Sequence, residues 1–157
     1  MFQDLLEKVQ NIPVLYQWLA VFLIAFVPFL EGYVAVPVGL LAGLPFLPTL
    51  LLALLSNWIS VLIVIKLSGF FSEKLLRRRK DGFLHNKMQR AKAYFNKYGI
   101  PGIALIGPIT VSNHIGAAVS IASGGSIRKV KIWQAISIIL WTTGAGILVS
   151  QGIDLLK

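Results

Sequence analysis

The chain has 157 residues, 56% of them hydrophobic and 13% charged, with a formal net charge of +9. A soluble domain has roughly a quarter of its residues charged; with a mean hydropathy of +0.76 the composition is that of an integral membrane protein, since a soluble fold could not hide so much apolar surface. The basic excess therefore points to membrane orientation and anionic head groups, and away from nucleic acid. The absence of cysteine excludes disulfides and thiolate chemistry, and two distant histidines argue against a metal site.

At the N-terminus Asp4 and Glu7 precede a single Lys8, whereas a signal peptide needs a basic start, so the whole chain is expected in the mature protein. Phe2, Leu5, Leu6, Val9 and Ile12 recur at helical spacing with polar residues between them, an amphipathic helix suited to an interface. Four tracts, 12–30, 33–65, 98–127 and 132–153, contain no Asp, Glu, Lys or Arg. The first apolar stretch is interrupted at Pro28 and by Glu31-Gly32, then resumes through Gly39, Ala42 and Gly43 to a Leu-Pro-Phe-Leu-Pro turn. Proline removes a backbone donor and disfavours helix in the residue before it, so this stretch reads as a re-entrant helical hairpin. Residues 13–28, ~24 Å as a helix, could reach deep into a ~30 Å hydrocarbon core and return. The next run, Thr49 to Leu67, is long enough to cross.

A basic linker, 68–83, contains Arg77, Arg78, Arg79 and Lys80, which are expected to orient the protein and contact anionic head groups at ~1 kcal/mol each near the surface. The same devices then recur. Leu84, Met88, Ala91, Phe95 and Tyr98 form the apolar face of a second amphipathic helix. It leads into a stretch interrupted at Pro108 and by Ser112, Asn113 and His114, which closes at Gly124-Gly125 before a run from Ile132. At an offset of 80 to 81 residues Pro28 falls on Pro108 and Gly43 on Gly124, a weak internal repeat of the kind from which transporters are built.

The expected fold is therefore an all-α integral membrane domain over 1–157, with a first repeat over 1–67 and a second over 84–157. Each repeat comprises an amphipathic helix, a re-entrant hairpin and one transmembrane helix, and the two are related by inversion. Thirteen of the fifteen Lys and Arg residues lie in 66–97 and 126–131; hairpins that leave on the side they entered put both segments on the cytoplasmic side. Four plain spans would instead place Arg128, Lys129 and Lys131 outside. Broken hairpin tips cannot face lipid, because each unsatisfied backbone group there costs several kcal/mol, so a homo-oligomer, most simply a dimer, is expected.

Glu31, between the first two tracts, is the only acidic residue that interrupts an apolar stretch. A carboxylate taken out of water disfavours its charged form, so with a path to water it could exchange protons; alternatively, it caps the second hairpin helix. His114, flanked by Thr110, Ser112 and Asn113, occupies the other tip, where it could relay protons or hold a polar head group, or where the three polar neighbours could simply satisfy the loop backbone. Two helix N-termini at the tips would suit an anion without specifying one. Trp18, Trp58, Trp133 and Trp141 read as interfacial anchors. No nucleophile, base and orienter set is visible, so no enzyme is read and no cofactor is expected.

Pro28-Phe-Leu-Glu-Gly-Tyr-Val-Ala-Val-Pro37-Val-Gly and the segments from Lys97-Tyr-Gly-Ile-Pro-Gly to His114-Ile-Gly-Ala-Ala resemble the small multi-drug export proteins, a bacterial and archaeal branch of the DedA superfamily, over about residues 20–150. The resemblance implies opposed re-entrant hairpins in a cytoplasmic membrane and movement of lipids, including polyisoprenyl phosphate carriers, with proton dependence and drug tolerance. It makes Glu31 the hairpin carboxylate, Pro37 its following proline and Pro108 the proline of the second tip. Where typical members have the arginine of a Pro-x-x-Arg motif, Val111 stands here. The reading is thus a transporter, proton-linked, of a lipid-phosphate or other amphipathic substrate. The alternatives are a proton-coupled exporter of cationic drugs or a lipid-organising scaffold. A single cysteine introduced at Ser126 tests the topology: the hairpin arrangement expects protection from an impermeant thiol reagent in intact cells and labelling once the inner face is opened, whereas four plain spans expect labelling from outside.

Overall fold

The computed structural model describes residues 11–71 and 83–155, with side chains over 11–68 and 86–153. Among the described residues every regular element is a helix: α1 (Val14–Phe26), α2 (Glu31–Leu41), α3 (Phe46–Phe71), α4 (Phe83–Thr110), α5 (Asn113–Ala122) and α6 (Ile127–Leu155). Most of the N-terminal amphipathic helix, and Arg77, Arg78, Arg79 and Lys80, lie outside the described residues. Two stretches are long and apolar enough to cross a membrane, Phe46–Ser68 with mean hydropathy 2.2 and Ile127–Ile153 with 1.6. At ~1.5 Å per residue, α1 and α2, of 13 and 11 residues, are too short for a ~30 Å core.

Both long helices start earlier than the sequence reading placed them. The helix α3 begins at Phe46 because Pro48 falls in its first turn, where a missing N–H is not needed. Arg128, Lys129 and Lys131 are not in a loop but open α6, as straight-chain basic residues are good helix formers.

The chain divides into two compact units, one with the described residues up to Asn57 and those from Ile138, the other Trp58–Ser137. In the first, α1 packs on α2 around Val21, Ala25, Ala35, Val36, Leu44, Leu50 and Ala53. In the second, α4 packs on α5 around Ala91, Ile103, Val111, Ile115 and Val119. Here α4 is two helical segments, because Gly99 at φ 67°, ψ −164° breaks it in a region that glycine enters without steric cost. The chain folds back there, bringing Lys87 Nζ within 3.4 Å of the Val111 carbonyl. Ala91 is fully buried in the unit's cluster and Met88 and Phe95 pack on it. The apolar face expected to lie on a membrane surface is thus taken up, in large part, inside the protein.

The long helices carry their polar residues inward. Thr49, Ser56, Asn57 and Ser60 of α3 and Gln134, Ser137 and Thr142 of α6 are buried, while Leu47, Leu51, Leu55, Ile59, Ile132, Ile136, Ile139, Leu140 and Leu148 are exposed. Water as solvent selects the opposite arrangement; hydrocarbon tolerates this one.

Local geometry recurs at an offset of 81 residues. The end of α2 is closed by Gly43 N–H to the Leu40 carbonyl at 3.0 Å and Leu44 N–H to the Gly39 carbonyl at 3.0 Å. The end of α5 is closed by Gly124 N–H to Ile121 at 3.0 Å and Gly125 N–H to Ser120 at 2.8 Å. Both are Schellman closures whose glycines have φ of 89° and 84°. Ser56 Oγ donates to the Phe22 carbonyl at 2.7 Å and Ser137 Oγ to the Ala104 carbonyl at 2.6 Å, so the ties to the preceding hairpin recur as well. A Cβ at Gly124 would meet nothing within 4 Å, leaving backbone strain as the cost of a side chain there. Gly124→Ala should lower stability by ~1–2 kcal/mol and Gly124→Asn by less, because asparagine tolerates the left-handed region; thermal melting in detergent measures both.

Candidate functional site

In the first unit the sequence breaks the hairpin at Pro28, which pushes Val27 out of helix into an extended conformation, φ −72° and ψ 128°. The tip is therefore 27–30, with Val27, Phe29 and Leu30 about two-fifths exposed. Glu31 opens α2; Gly32 and Pro37, expected at the hairpin tip, are instead its second residue and an interior one. Pro37 has no N–H to give to the Tyr33 carbonyl. Glu31 is fully buried, at the end of a helix whose dipole favours negative charge. Its N–H reaches the Val27 carbonyl at 3.4 Å. Beside it Gly32 is pressed on α6: a Cβ there would lie 2.5 Å from Thr142 Oγ1. That hydroxyl is buried and finds no hydrogen-bond partner among the described residues.

In the second unit Pro108 occupies the last turn of α4, and the tip is the pair Val111 and Ser112. Their N–H groups converge on the Gly107 carbonyl at 2.8 and 2.7 Å. Ser112 N-caps α5, its Oγ accepting from His114 N–H at 3.2 Å. Asn113 and His114 are the first two residues of α5 and are buried. His114 Nε2 lies 2.9 Å from Ser60 Oγ of α3. Thr110 turns its hydroxyl back to the Ile106 carbonyl at 3.0 Å. Of the candidates, Ser112, Asn113 and His114 are thus brought together with Ser60 and Ser137. Glu31 belongs to the other unit.

Pro108 also frees the Ala104 carbonyl, four residues back, from its helical donor, and Ser137 supplies the replacement at 2.6 Å. A hydroxyl has one proton. With it committed to Ala104, the amide of Asn113, whose Oδ1 is placed 3.2 Å from the same oxygen, serves as the donor once its NH₂ is turned toward Ser137.

Among the described residues only Phe29, Glu31 and Ser112 are non-glycine with positive φ, at 78°, 60° and 123°. Such conformations cost ~1–3 kcal/mol each and persist where surrounding structure holds them, commonly at functional sites. Phe29 and Ser112 lie in the tips and Glu31 directly follows the first. The helices that follow the two tips open with different chemistry, α2 with a carboxylate and α5 with an amide.

Sequence reasoning missed Asn57, Ser60, Gln134, Ser137 and Thr142. The available signal was an amide or hydroxyl inside an otherwise apolar long helix, where polar groups turn inward.

The family model described as small multi-drug export protein matches residues 31–143, a span that begins at Glu31 and takes in both long-helix polar faces up to Thr142. No curated protein and no solved structure matches the chain.

The tie to Ala104 generates a test of the second tip. Ser137→Ala should cost ~1–3 kcal/mol by leaving a buried carbonyl unsatisfied. Adding Pro108→Ala, which restores an N–H four residues on, should recover part of that loss, so the double variant should be more stable than the sum of the singles in a thermal-melt cycle.

Proposed function

The chain belongs to the small multi-drug export protein family, and from that premise we propose that it is a transporter of the cytoplasmic membrane. Its two hairpins, re-entrant and related by inversion, would carry the binding groups at their tips. The substrate is a lipid-phosphate or other amphipathic molecule, moved across or between leaflets with proton linkage through Glu31. Ser112, Asn113 and His114 supply hydrogen bonds at the second tip, with Thr110 beside them. The observation that carries this reading is the coincidence, at both tips, of strained non-glycine backbone with a buried ionisable side chain. Strain held in place and an ionisable group inside an apolar helix both lean toward function rather than packing.

Repetition of the helix closures and of the Ser56 and Ser137 ties at an offset of 81 residues supports the repeat. The exposed apolar tip at Val27, Phe29 and Leu30 supports assembly as a homo-oligomer, most simply a dimer, that covers it. Residues 66–97 and 126–131 face the cytoplasm in this reading, and Arg77, Arg78, Arg79 and Lys80 contact anionic lipid head groups.

A second reading is favoured by the family name itself: a proton-coupled exporter of cationic compounds, in which the buried carboxylate of Glu31 binds proton and substrate in turn. Glu31→Gln and His114→Ala should each lower transport in proteoliposomes by about tenfold or more, the loss of ~1.4 kcal/mol of transition-state stabilisation, while the proteins still elute as folded species. Lipid flipping and pH-dependent transport unchanged in both variants would overturn the site. Glu31-dependent ethidium efflux without lipid flipping would establish the second reading instead.

A further inference from the structure

In the second unit the seam between α5 and the start of α6 contains polar atoms that the protein does not use. The two helices run antiparallel from a common turn: Asn113 meets Ser137, and three residues on, a Cβ at Gly116 would lie 3.5 Å from Gln134 Nε2. The next level along α5 is Ser120. Gln134 is 1% exposed and Ser120 fully buried. Among the described residues neither amide atom of Gln134 nor the hydroxyl of Ser120 has a hydrogen-bond partner.

A buried serine can turn its hydroxyl to a carbonyl of its own helix. The primary amide of Gln134 has no such local remedy and offers two donors and two acceptor sites. Buried polar groups are paired with protein or with water, and a water needs two to four polar partners. Successive polar levels here are one helical turn apart, ~5.4 Å, the span of two hydrogen bonds through one water. The far end opens where the turn and first residues of α6 are exposed, Ser123, Gly124 and 126–129. Arg128 and Lys129 stand there, so the mouth is positive and the lining uncharged. That combination disfavours a metal cation and fits water.

We propose that this seam binds a short file of water molecules, centred on Gln134, that joins Asn113 at the second tip to the exposed turn after α5. Its use, hydrating the tip from the side of that turn, rests on the transport reading above; its existence does not. A Cβ at Gly116 would stand in ordinary contact with Ile103 Cγ1 at 3.4 Å and Gln134 Nε2 at 3.5 Å, so glycine there leaves a methyl-sized space against the amide.

Radiolytic hydroxyl labelling of the full-length protein in detergent, read by mass spectrometry, tests the file without reference to any substrate. Ile103 and Val130 are fully buried, as are Val21 and Val36 in the first unit's apolar cluster. Bound water beside the former should oxidise Ile103 and Val130 several-fold faster than Val21 and Val36. Gln134→Leu should bring them down to the rate of those controls, and Ser120→Ala should slow Val130. Labelling of Ile103 and Val130 at the control rate in the unaltered protein overturns the proposal even if transport is found. Fast labelling that survives Gln134→Leu overturns the role of Gln134. Fast, Gln134-dependent labelling in a protein that transports nothing upholds the file and rejects the transport reading alone. Should Gln134→Leu fail to fold, the unaltered protein and Ser120→Ala still decide.

Discussion

A helix that breaks in an apolar phase leaves carbonyl and N–H groups that no solvent can reach, and each must find a partner inside the chain. Ala104 shows how this protein meets that requirement. Pro108 takes away the donor that a regular helix would supply, and a serine on a different helix returns one at 2.6 Å. The serine's own proton is then spent, which dictates that Asn113 donate rather than accept, and so orients the first side chain of α5. One proline thereby couples the breaking of α4, the docking of α6 and the chemistry presented at the tip. In the first unit Ser56 makes the same type of tie to α1, at the Phe22 carbonyl.

The turns obey the same requirement by a different route. Where α2 and α5 end, the chain must reverse into a long helix without leaving carbonyls open, and a glycine with φ near 85° allows two N–H groups to close back on the last helical turn. This closure, the helix start that follows it and a serine tie to a preceding helix recur in both units. The first helical residue after each tip differs: α2 opens with a carboxylate, Glu31, and α5 with a neutral amide, Asn113, followed by His114.

The inward-facing polar residues complete the picture. In water a helix turns Ser, Asn and Gln outward because hydration is free there; Asn57, Gln134 and Thr142 are buried beneath surfaces of Leu and Ile. A chain with this arrangement gains little from apolar burial against its surroundings. Its specificity comes from close approach at glycine, as where Gly32 meets Thr142, and from hydrogen bonds that have no competitor.

Length, apolar content and the placement of charge determined by themselves that this is an all-helical membrane chain, where its long helices run to within a few residues, and that it breaks near Pro28 and Pro108. These are local properties: proline lacks an N–H wherever it stands, glycine alone enters φ > 0 at little cost, and charge-free tracts of this length have few other solutions. Periodicity also marked Ala91 and its neighbours as one apolar face, but which surface that face covers depends on the reversal at Gly99, which lets the helix fold back on its own unit. Glu31-Gly32 interrupts the apolar stretch as a sequence, yet the helix α2 opens at Glu31 and runs on through Pro37. Only the tertiary structure decided that Ser60 meets His114, that Ser137 replaces a proline's missing donor and that Gln134 is buried beside Gly116. Those pairings join residues 18 to 54 positions apart, and hydrogen-bond partners at that separation are selected by helix packing, which no local pattern encodes.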